Sequence, residues 1–186
     1  MTIRGGYRPH ILRINLTEET IVREPLPDEA VLRKYLGGTG LGLYLLLRDA
    51  PPQVEATDPD APLILMLGPL TGTPANNSSD WTTICYNLCI PYAAGVGHGH
   101  GFWGAFLKHA GHEGIYFTGK ASTPRYLWID DDHVELRDAG HLWGLDTRET
   151  ERRLKLELGD EENVSVASIG PAGEAQLPGA MGKADR

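Results

Sequence analysis

The sequence predicts an α+β fold in a single domain, with mainly antiparallel β-sheets and a few helices. Most predicted strands follow one another through short turns, whereas regular strand–helix–strand alternation would favour a doubly wound parallel sheet. The chain has 186 residues, of which 41% are hydrophobic and 23% charged, as in ordinary globular proteins with a buried core. We place the domain at residues 1–174. We expect residues 175–186 to form a flexible tail, because they are small and polar.

The first 50 residues predict a hairpin followed by two helices. The hairpin is indicated by alternating apolar and polar residues, which are typical of a half-buried strand. The first helix opens at a proline–aspartate pair, and a run of glycines separates it from the second. The predicted strands are His10–Leu16 and Ile21–Arg23, and the predicted helices are Pro27–Leu36 and Leu41–Arg48.

The middle of the chain predicts two strands separated by a loop rich in turn residues. Leu63–Leu67 is a continuous apolar run, which is typical of a buried strand. Trp81–Leu88 contains β-branched and aromatic residues and predicts another strand. Residues 95–101, GVGHGHG, predict a loop that leads into a helix through Lys108, capped near Gly111.

The last third of the chain predicts three short strands, one helix and a final strand. Asp130, Asp131 and Asp132 form the turn between two of these strands. The helix is amphipathic and ends at a glycine. The predicted strands are Gly114–Thr118, Tyr126–Ile129, His133–Leu136 and Val164–Ile169, and the helix is Thr147–Leu158 with Gly159 at its end.

Net charge and cysteine content argue against several classes of protein. The net charge of −8 makes the chain a poor candidate for binding a nucleic-acid backbone. No apolar run is long enough to span a membrane, and the first ten residues lack a hydrophobic signal core. Cys85 and Cys89 share a face of one predicted strand, which favours packing cysteines over a disulfide framework or cluster ligands. We therefore expect a cytoplasmic protein without nucleic-acid or membrane partners.

Residues 95–101 are the most informative segment for function, because glycines alternate there with other residues that include His98 and His100. Glycine-rich backbone that runs into a helix start can bring N–H groups close to an anion. This segment and the loops at 37–42 and 68–80 can converge on one ligand. Composition and spacing do not identify that ligand.

Two other hypotheses for these segments, a dinucleotide-binding loop and a metal site, have less support from the sequence. Residues 38–42, GTGLG, follow a helix with GxGxG spacing, so a helix–helix corner is favoured over a dinucleotide-binding loop. His98 and His100 are a candidate metal pair, but a zinc site needs further ligands. Polar residues lining a cleft are therefore favoured, and no metal site is predicted. The nearby candidates for further ligands are His109, His112, Cys85 and Asp80.

A series of motifs along the chain resembles one known family. The resemblance runs from Ile11 to Glu174 and lies in the number, order and spacing of the motifs. They are HILRINLT (10–17), YLGGTGLG (35–42), LILMLGPLTGTPA (63–75), GFWGAFLKHAG (101–111), TGKASTPRYLWIDDDHVELRDAGHLWG (118–144), TRETERRLK (147–155) and IGPAGE (169–174). Together they resemble the N-terminal domain of the tungsten-containing aldehyde:ferredoxin oxidoreductase family.

The resemblance implies a fold, an activity and cofactors. Members of this family interconvert aldehydes and carboxylic acids with ferredoxin, and a related branch supplies the catalytic subunit of benzoyl-CoA reductases. They carry tungsten held by two pterin dithiolenes and a [4Fe-4S] cluster. Their N-terminal domain is a β-rich base under the bis-pterin. Residues 1–174 are thereby expected to be a base for a tungsten or molybdenum bis-pterin.

The resemblance also implies positions for cofactor-binding residues, and this chain departs from the family at each of them. Asp80 stands where the family loop PxSGGR carries an arginine that contacts the pterin cofactor. His98, Gly99, His100 and Gly101 stand where family members carry Asn-x-Gly before a helix. A carboxylate cannot replace a guanidinium that faces phosphate. No catalytic residue is assigned.

The family continues beyond IGPAGE into domains with cluster cysteines and catalytic acid and base groups. Cys85 and Cys89 do not match those cysteines, so we expect the isolated chain to be inactive. It is then a piece of a longer tungsten enzyme, a subunit of a larger redox complex, or a non-catalytic binding or interaction module. The implied partners are ferredoxin and the missing C-terminal domains or a partner subunit. An exposed face left by their absence predicts a homodimer or another partner.

Overall fold

The computed structural model describes residues 5–160, 162–177, 180 and 182–184, and its main element is a six-stranded sheet. The strand order is β2-β1-β6-β3-β4-β5. Neighbouring strands are antiparallel except β1 and β6, which are parallel. The predicted α+β fold with mainly antiparallel strands is confirmed. The strands are β1 His10–Asn15, β2 Thr20–Pro25, β3 Leu63–Leu67, β4 Trp81–Tyr86, β5 Ala94–Gly99 and β6 Gly114–Thr118.

Capping residues mark the start of α1 and both ends of α4. Asp28 accepts a hydrogen bond from the Val31 amide at the start of α1, and Asp146 accepts two at the start of α4. Gly159 ends α4 in the left-handed conformation, with φ of 72°. In the described part of the chain, no helix is both long enough and apolar enough to cross a membrane. The helices are α1 Glu29–Tyr35, α2 Gly38–Asp49, α3 Trp103–His109, α4 Thr147–Leu158 and α5 Pro171–Glu174, with a 3-10 turn at Gly140–Leu142.

Two small sheets complete the fold. Strands β7 (Arg125–Asp130) and β8 (His133–Asp138) form the predicted hairpin, with Asp131 in its turn. Near the end of the chain, β9 (Ala167–Ser168) pairs with β10 (Lys183–Ala184). The final strand predicted at residues 164–169 is therefore only two residues long. The domain boundary after residue 174 and the flexibility of the tail remain predictions.

The main sheet lies between two layers, and each face of the sheet has its own core. On one face α1 and α2 pack on apolar side chains from β1, β3 and β4, among them Ile11, Met66 and Ile84. On the other face α3 and the β7–β8 hairpin cover a core that includes Leu12, Leu67 and Trp81 from the sheet. Burial of both faces explains why Leu63–Leu67 reads as a continuous apolar run.

Three further predicted boundaries are wrong. Residues 95–99 form the edge strand β5 instead of a loop, because their backbone pairs with β4 along its whole length. Helix α2 begins at Gly38, inside the glycine run that was expected to be a break. Strand β4 ends at Tyr86, so Cys89 lies beyond it in an exposed turn and does not share a strand face with Cys85.

Candidate functional site

An open surface cavity of about 330 Å³ lies at the amino end of α2, near the end of β3 and the start of β4. This volume falls at the lower end of the range of small-molecule sites, roughly 300–1,000 Å³. Its walls come from three stretches of chain, within 36–38, 66–71 and 77–82. Two of the three glycine segments that were expected to meet at one ligand therefore line the same cavity.

The amino end of α2 supplies hydrogen-bond donors to this cavity. Gly37 is the residue before the helix and has no side chain to cap it, and the first turn contains no acidic residue. The first amide N–H groups of a helix have no partner within the helix, and they carry a partial positive charge. Gly37 and Gly38 line the cavity. This wall can therefore bind a hydrogen-bond acceptor of a ligand.

Thr71 fixes the shape of the loop that forms the opposite wall. Its buried hydroxyl accepts a hydrogen bond from the Gly68 amide at 3.1 Å and donates one to the Asp80 carbonyl at 3.1 Å. Ser78 adds a hydrogen bond of 2.6 Å to the carbonyl of Thr73. Because Thr71 joins the two ends of the loop, the cavity wall has a defined geometry.

A buried ion pair supports this loop from behind. The Nζ atom of Lys108 donates to both carboxylate oxygens of Glu113, at 2.7 and 2.6 Å, and to the Gly68 carbonyl at 3.2 Å. Arg8 connects the pair by donating from its backbone amide to Glu113 and from Nε to the Lys108 carbonyl, both at 2.7 Å. The pair thus holds the backbone of the cavity loop through Gly68.

Burial shifts both groups of this pair toward their neutral forms. It lowers the pKa of Lys108 and raises the pKa of Glu113, while the attraction between the two groups opposes each shift. The side chains are only 4% and 0% exposed. Sequence reasoning missed this pair. The signal that could have revealed it is a lysine that follows the apolar residues of α3 directly, five residues before a glutamate.

The third glycine segment reaches the cavity through its histidines. His100 Nδ1 lies 2.8 Å from Asp80 Oδ1, and His98 Nδ1 lies 3.4 Å from the hydroxyl of Thr82. Asp80 and Thr82 both line the cavity. The structure therefore brings three of the five predicted site residues, Asp80, His98 and His100, to one rim.

The two predicted glycines have different positions. Gly99 faces Trp81, and a Cβ atom added to it would lie 2.2 Å from the Trp81 ring. Since neighbouring residues of a strand point to opposite faces, Gly99 lies on the face away from His98. The Nε1 atom of Trp81 is buried without a hydrogen-bond partner among the described residues. Gly101 has φ of 89° in the turn before α3, so both glycines serve backbone geometry beside the rim.

The other candidate metal ligands point to separate places. His112 Nε2 donates to the Asp131 carbonyl at 3.1 Å, so its Nδ1 is the acceptor of the 2.9 Å hydrogen bond with His10. His109 Nε2 donates to the Gly72 carbonyl at 3.0 Å. Burial raises the pKa of the Cys85 thiol. Within the described residues, no three His, Cys, Asp or Glu side chains are grouped so that they could hold a metal ion.

Comparison with known proteins accounts for this arrangement of glycine segments. The sequence profile of the aldehyde ferredoxin oxidoreductase N-terminal domain matches residues 11–186. This chain belongs to that family. It is 45% identical over 172 residues to the tungsten-containing aldehyde ferredoxin oxidoreductase of Pyrococcus abyssi, a match that covers 92% of this chain and 28% of the relative.

More distant relatives share the same domain. The chain is 33% identical over 171 residues to an aliphatic sulfonate oxidoreductase, WOR-like subunit, of Pyrococcus furiosus, covering 84% of this chain and 25% of that protein. A solved structure, the active site complex BamBC of benzoyl coenzyme A reductase with 1,5-dienoyl-CoA, contains a chain that superposes with a TM-score of 0.94 at 35% identity. That superposition covers 99% of this chain and 28% of the neighbour. The predicted resemblance is therefore confirmed, and the chain spans about a quarter of the length of these relatives.

Proposed function

We propose that this chain is the pterin-cofactor base of an aldehyde:ferredoxin oxidoreductase-like enzyme, in which further domains or a partner subunit complete the active site. The observation that carries the proposal is that two glycine-bearing segments line one cavity at the amino end of α2, while the third contacts Asp80 and Thr82 of its rim through His100 and His98. Membership of the family supports it, because the relatives are named as tungsten-containing enzymes. Aldehyde–carboxylate redox chemistry and ferredoxin as electron partner belong to the same proposal.

The residues around the cavity fit the ring system of a pterin. A pterin ring offers carbonyl and ring-nitrogen acceptors together with amino donors, and the cavity offers donors from α2 and polar side chains from Asn77, Ser78 and Thr82. Within the part of the chain that the structure describes, neither lysine nor arginine lines it. The match is thus to the ring rather than to a phosphate group.

Each part of the chain has a definite task in this proposal. A tungsten or molybdenum bis-pterin would supply the redox-active metal. The amides of α2 bind the ring acceptors, the Thr71 hydroxyl keeps the opposite wall in place, and Lys108 fixes Gly68 from behind. A [4Fe-4S] cluster would be held outside this chain, because it uses four cysteine thiolates and this chain has two cysteines, Cys85 and Cys89.

Cofactor retention tests the proposal. The chain is expressed with tungstate, and the purified protein is assayed for extracted pterin and for tungsten. We expect the wild type to retain pterin. Thr71→Val should reduce retention, because it removes the hydroxyl that joins Gly68 to Asp80. The matched control Thr73→Val changes a threonine of the same loop whose hydroxyl bonds, among the described residues, to the Leu70 carbonyl and the Ala75 amide of that loop. Absence of pterin from the wild type would contradict the proposal.

A role as one subunit of a larger redox complex is supported by the solved neighbour, which is part of a named complex. The chain exposes large apolar side chains next to the rim, including Phe102 at 58% and Leu70 at 64%. Such side chains beside a cofactor cavity suit a covering domain, a partner subunit or a second copy of this chain. Analytical sedimentation of the purified chain measures whether it forms the proposed homodimer, and a monomer at high concentration would contradict that part.

A further inference from the structure

The charge of the cavity is set by one residue. Among the described residues that line it, Asp80 alone has a charged side chain. An ionised carboxylate accepts hydrogen bonds and cannot donate them, so it repels acceptor groups and anions and attracts N–H donors. The wall at Asp80 therefore favours a donor group of a ligand.

The Asp80 carboxylate has one oxygen available for such a group. His100 Nδ1 contacts Oδ1 at 2.8 Å, which orients the carboxylate. Among the described residues, Oδ2 has no hydrogen-bond partner. His100 is thus a positioning residue, and Oδ2 is the atom that can meet a ligand.

The opposite wall has the reverse preference. The uncapped amides at the start of α2 favour an acceptor, as described above. A ligand that fits both walls presents a carbonyl or ring-nitrogen acceptor on one side and an amino donor on the other. An aminopyrimidinone ring has these two kinds of edge, and a phosphate has only acceptors.

We propose that the Asp80 carboxylate, oriented by His100, binds the amino edge of a 2-amino-4-oxopteridine in this cavity and selects it over pteridines with a carbonyl at that position. The inference rests on the proposed function, because it assigns one edge of the proposed ligand to one residue of this chain. It also gives Asp80 a role in ring recognition, where the resemblance implied an arginine on the cofactor.

Binding of two free pteridines to the purified chain tests this inference. The probes are pterin, which carries the 2-amino group, and lumazine, which carries a carbonyl in its place. Binding is measured by isothermal titration calorimetry. We expect the wild type to prefer pterin about tenfold, the range that one hydrogen bond to a charged group supplies. Asp80→Asn should abolish that preference, because an amide can donate to the lumazine carbonyl.

Matched variants separate recognition from general effects. Asp131→Asn removes the same charge at the β7–β8 turn, on the layer across the sheet, and should keep the tenfold preference. His100→Gln retains a donor for Asp80 and should keep most of the preference, whereas His100→Ala should lower it. Equal binding of pterin and lumazine to the wild type would overturn the inference about Asp80 but would leave the cavity as a pteridine site. If neither probe binds, the cavity as a pterin site is contradicted as well.

Discussion

Two groups of charged and imidazole side chains serve the same loop in opposite ways. The interior cluster, Lys108, Glu113, His10 and His112, lies against the backbone before β6 and includes side chains with 0–4% exposure. The rim cluster, Asp80, His98 and His100, lies at the cavity mouth, where His100 is 77% and Asp80 55% exposed. Each cluster contains a carboxylate and at least one imidazole, and hydrogen bonds join side chains within each cluster.

The difference in exposure gives the two clusters different roles: the buried one supports the loop, and the exposed one is available to a ligand. In the interior cluster, Lys108 and Glu113 must be paired with each other, because an unpaired buried charge is costly. That requirement fixes the position of Gly68 and of the cavity wall. At the rim, water screens the pair and leaves Asp80 Oδ2 available. The interior cluster therefore supports the cavity loop through Gly68, whereas the rim cluster leaves a carboxylate oxygen of Asp80 available to a ligand.

Breaking the interior ion pair should have the largest effect on stability. Lys108→Met leaves Glu113 buried without its partner, and we expect a loss of about 3–5 kcal/mol in the free energy of unfolding. Urea denaturation followed by circular dichroism measures it. The control is Arg33→Met, which removes an exposed pair with Glu29 on α1 and should cost less than about 1 kcal/mol. Equal losses for the two variants would contradict the distinction between interior and surface pairs.

The contact between α3 and the rim loop should have the next largest effect. A Cβ atom on Gly104 would lie 2.4 Å from the Ser79 carbonyl oxygen, directly before Asp80. Gly104→Ala should therefore destabilise the chain by about 1–3 kcal/mol through overpacking. Thermal denaturation gives the sign of the change. At an open helical position alanine would instead stabilise by about 1 kcal/mol, so a gain in stability would show that the loop does not press on α3.

The sequence was most informative where local chemistry decides the structure. Asp28 lies at the predicted start of the first helix and caps it, and Asp131 and Asp132 of the predicted turn connect β7 to β8, with Asp130 ending β7. Local rules failed at β5, because its strand conformation comes from pairing with β4 and from the space that its glycines leave for the side chains of Trp81 and Thr83. Glycine has a low intrinsic preference for strands, so this long-range pairing is invisible in the local pattern.

The candidate site was predictable only in part for the same reason. The sequence allows the glycine segments to meet at one ligand because each is rich in residues that suit close approach, and two of the three line the cavity. The contacts of Asp80 with His100, and of Lys108 with Glu113 and Gly68, depend on how α3 and the edge strand are placed. Such placement follows from packing of the whole sheet, which no spacing in the sequence encodes.

The buried imidazoles should make stability depend on pH. Burial lowers the pKa of His112 and of His10 in the folded chain. The unfolded chain then binds more protons below its ordinary histidine pKa of about 6.5, so stability falls as the pH decreases through that value. The slope is at most about 1.4 kcal/mol per pH unit for each histidine. Urea midpoints at pH 7.5 and pH 5 measure it.

A pair of matched variants assigns this pH dependence to the interior. His112→Gln keeps a donor for the Asp131 carbonyl and an acceptor for His10 but does not titrate, so it should flatten the difference between the two pH values. His100→Gln removes an exposed imidazole at the rim. We expect the larger loss of pH dependence from His112→Gln. The reverse order would place the pH-sensitive histidine at the rim.

The smallest effect on stability is expected at the rim itself. Asp80→Asn removes the charge of a half-exposed carboxylate that contacts His100, and exposed contacts of this kind contribute roughly 0–1 kcal/mol. The backbone carbonyl of Asp80 still accepts from Thr71, so the loop keeps its shape in the variant. Thermal denaturation should therefore give nearly the wild-type midpoint. A loss above about 2 kcal/mol would mean that Asp80 supports the fold as the interior cluster does. With an unchanged midpoint, a change in pterin binding by this variant reports the carboxylate's contact with the ligand.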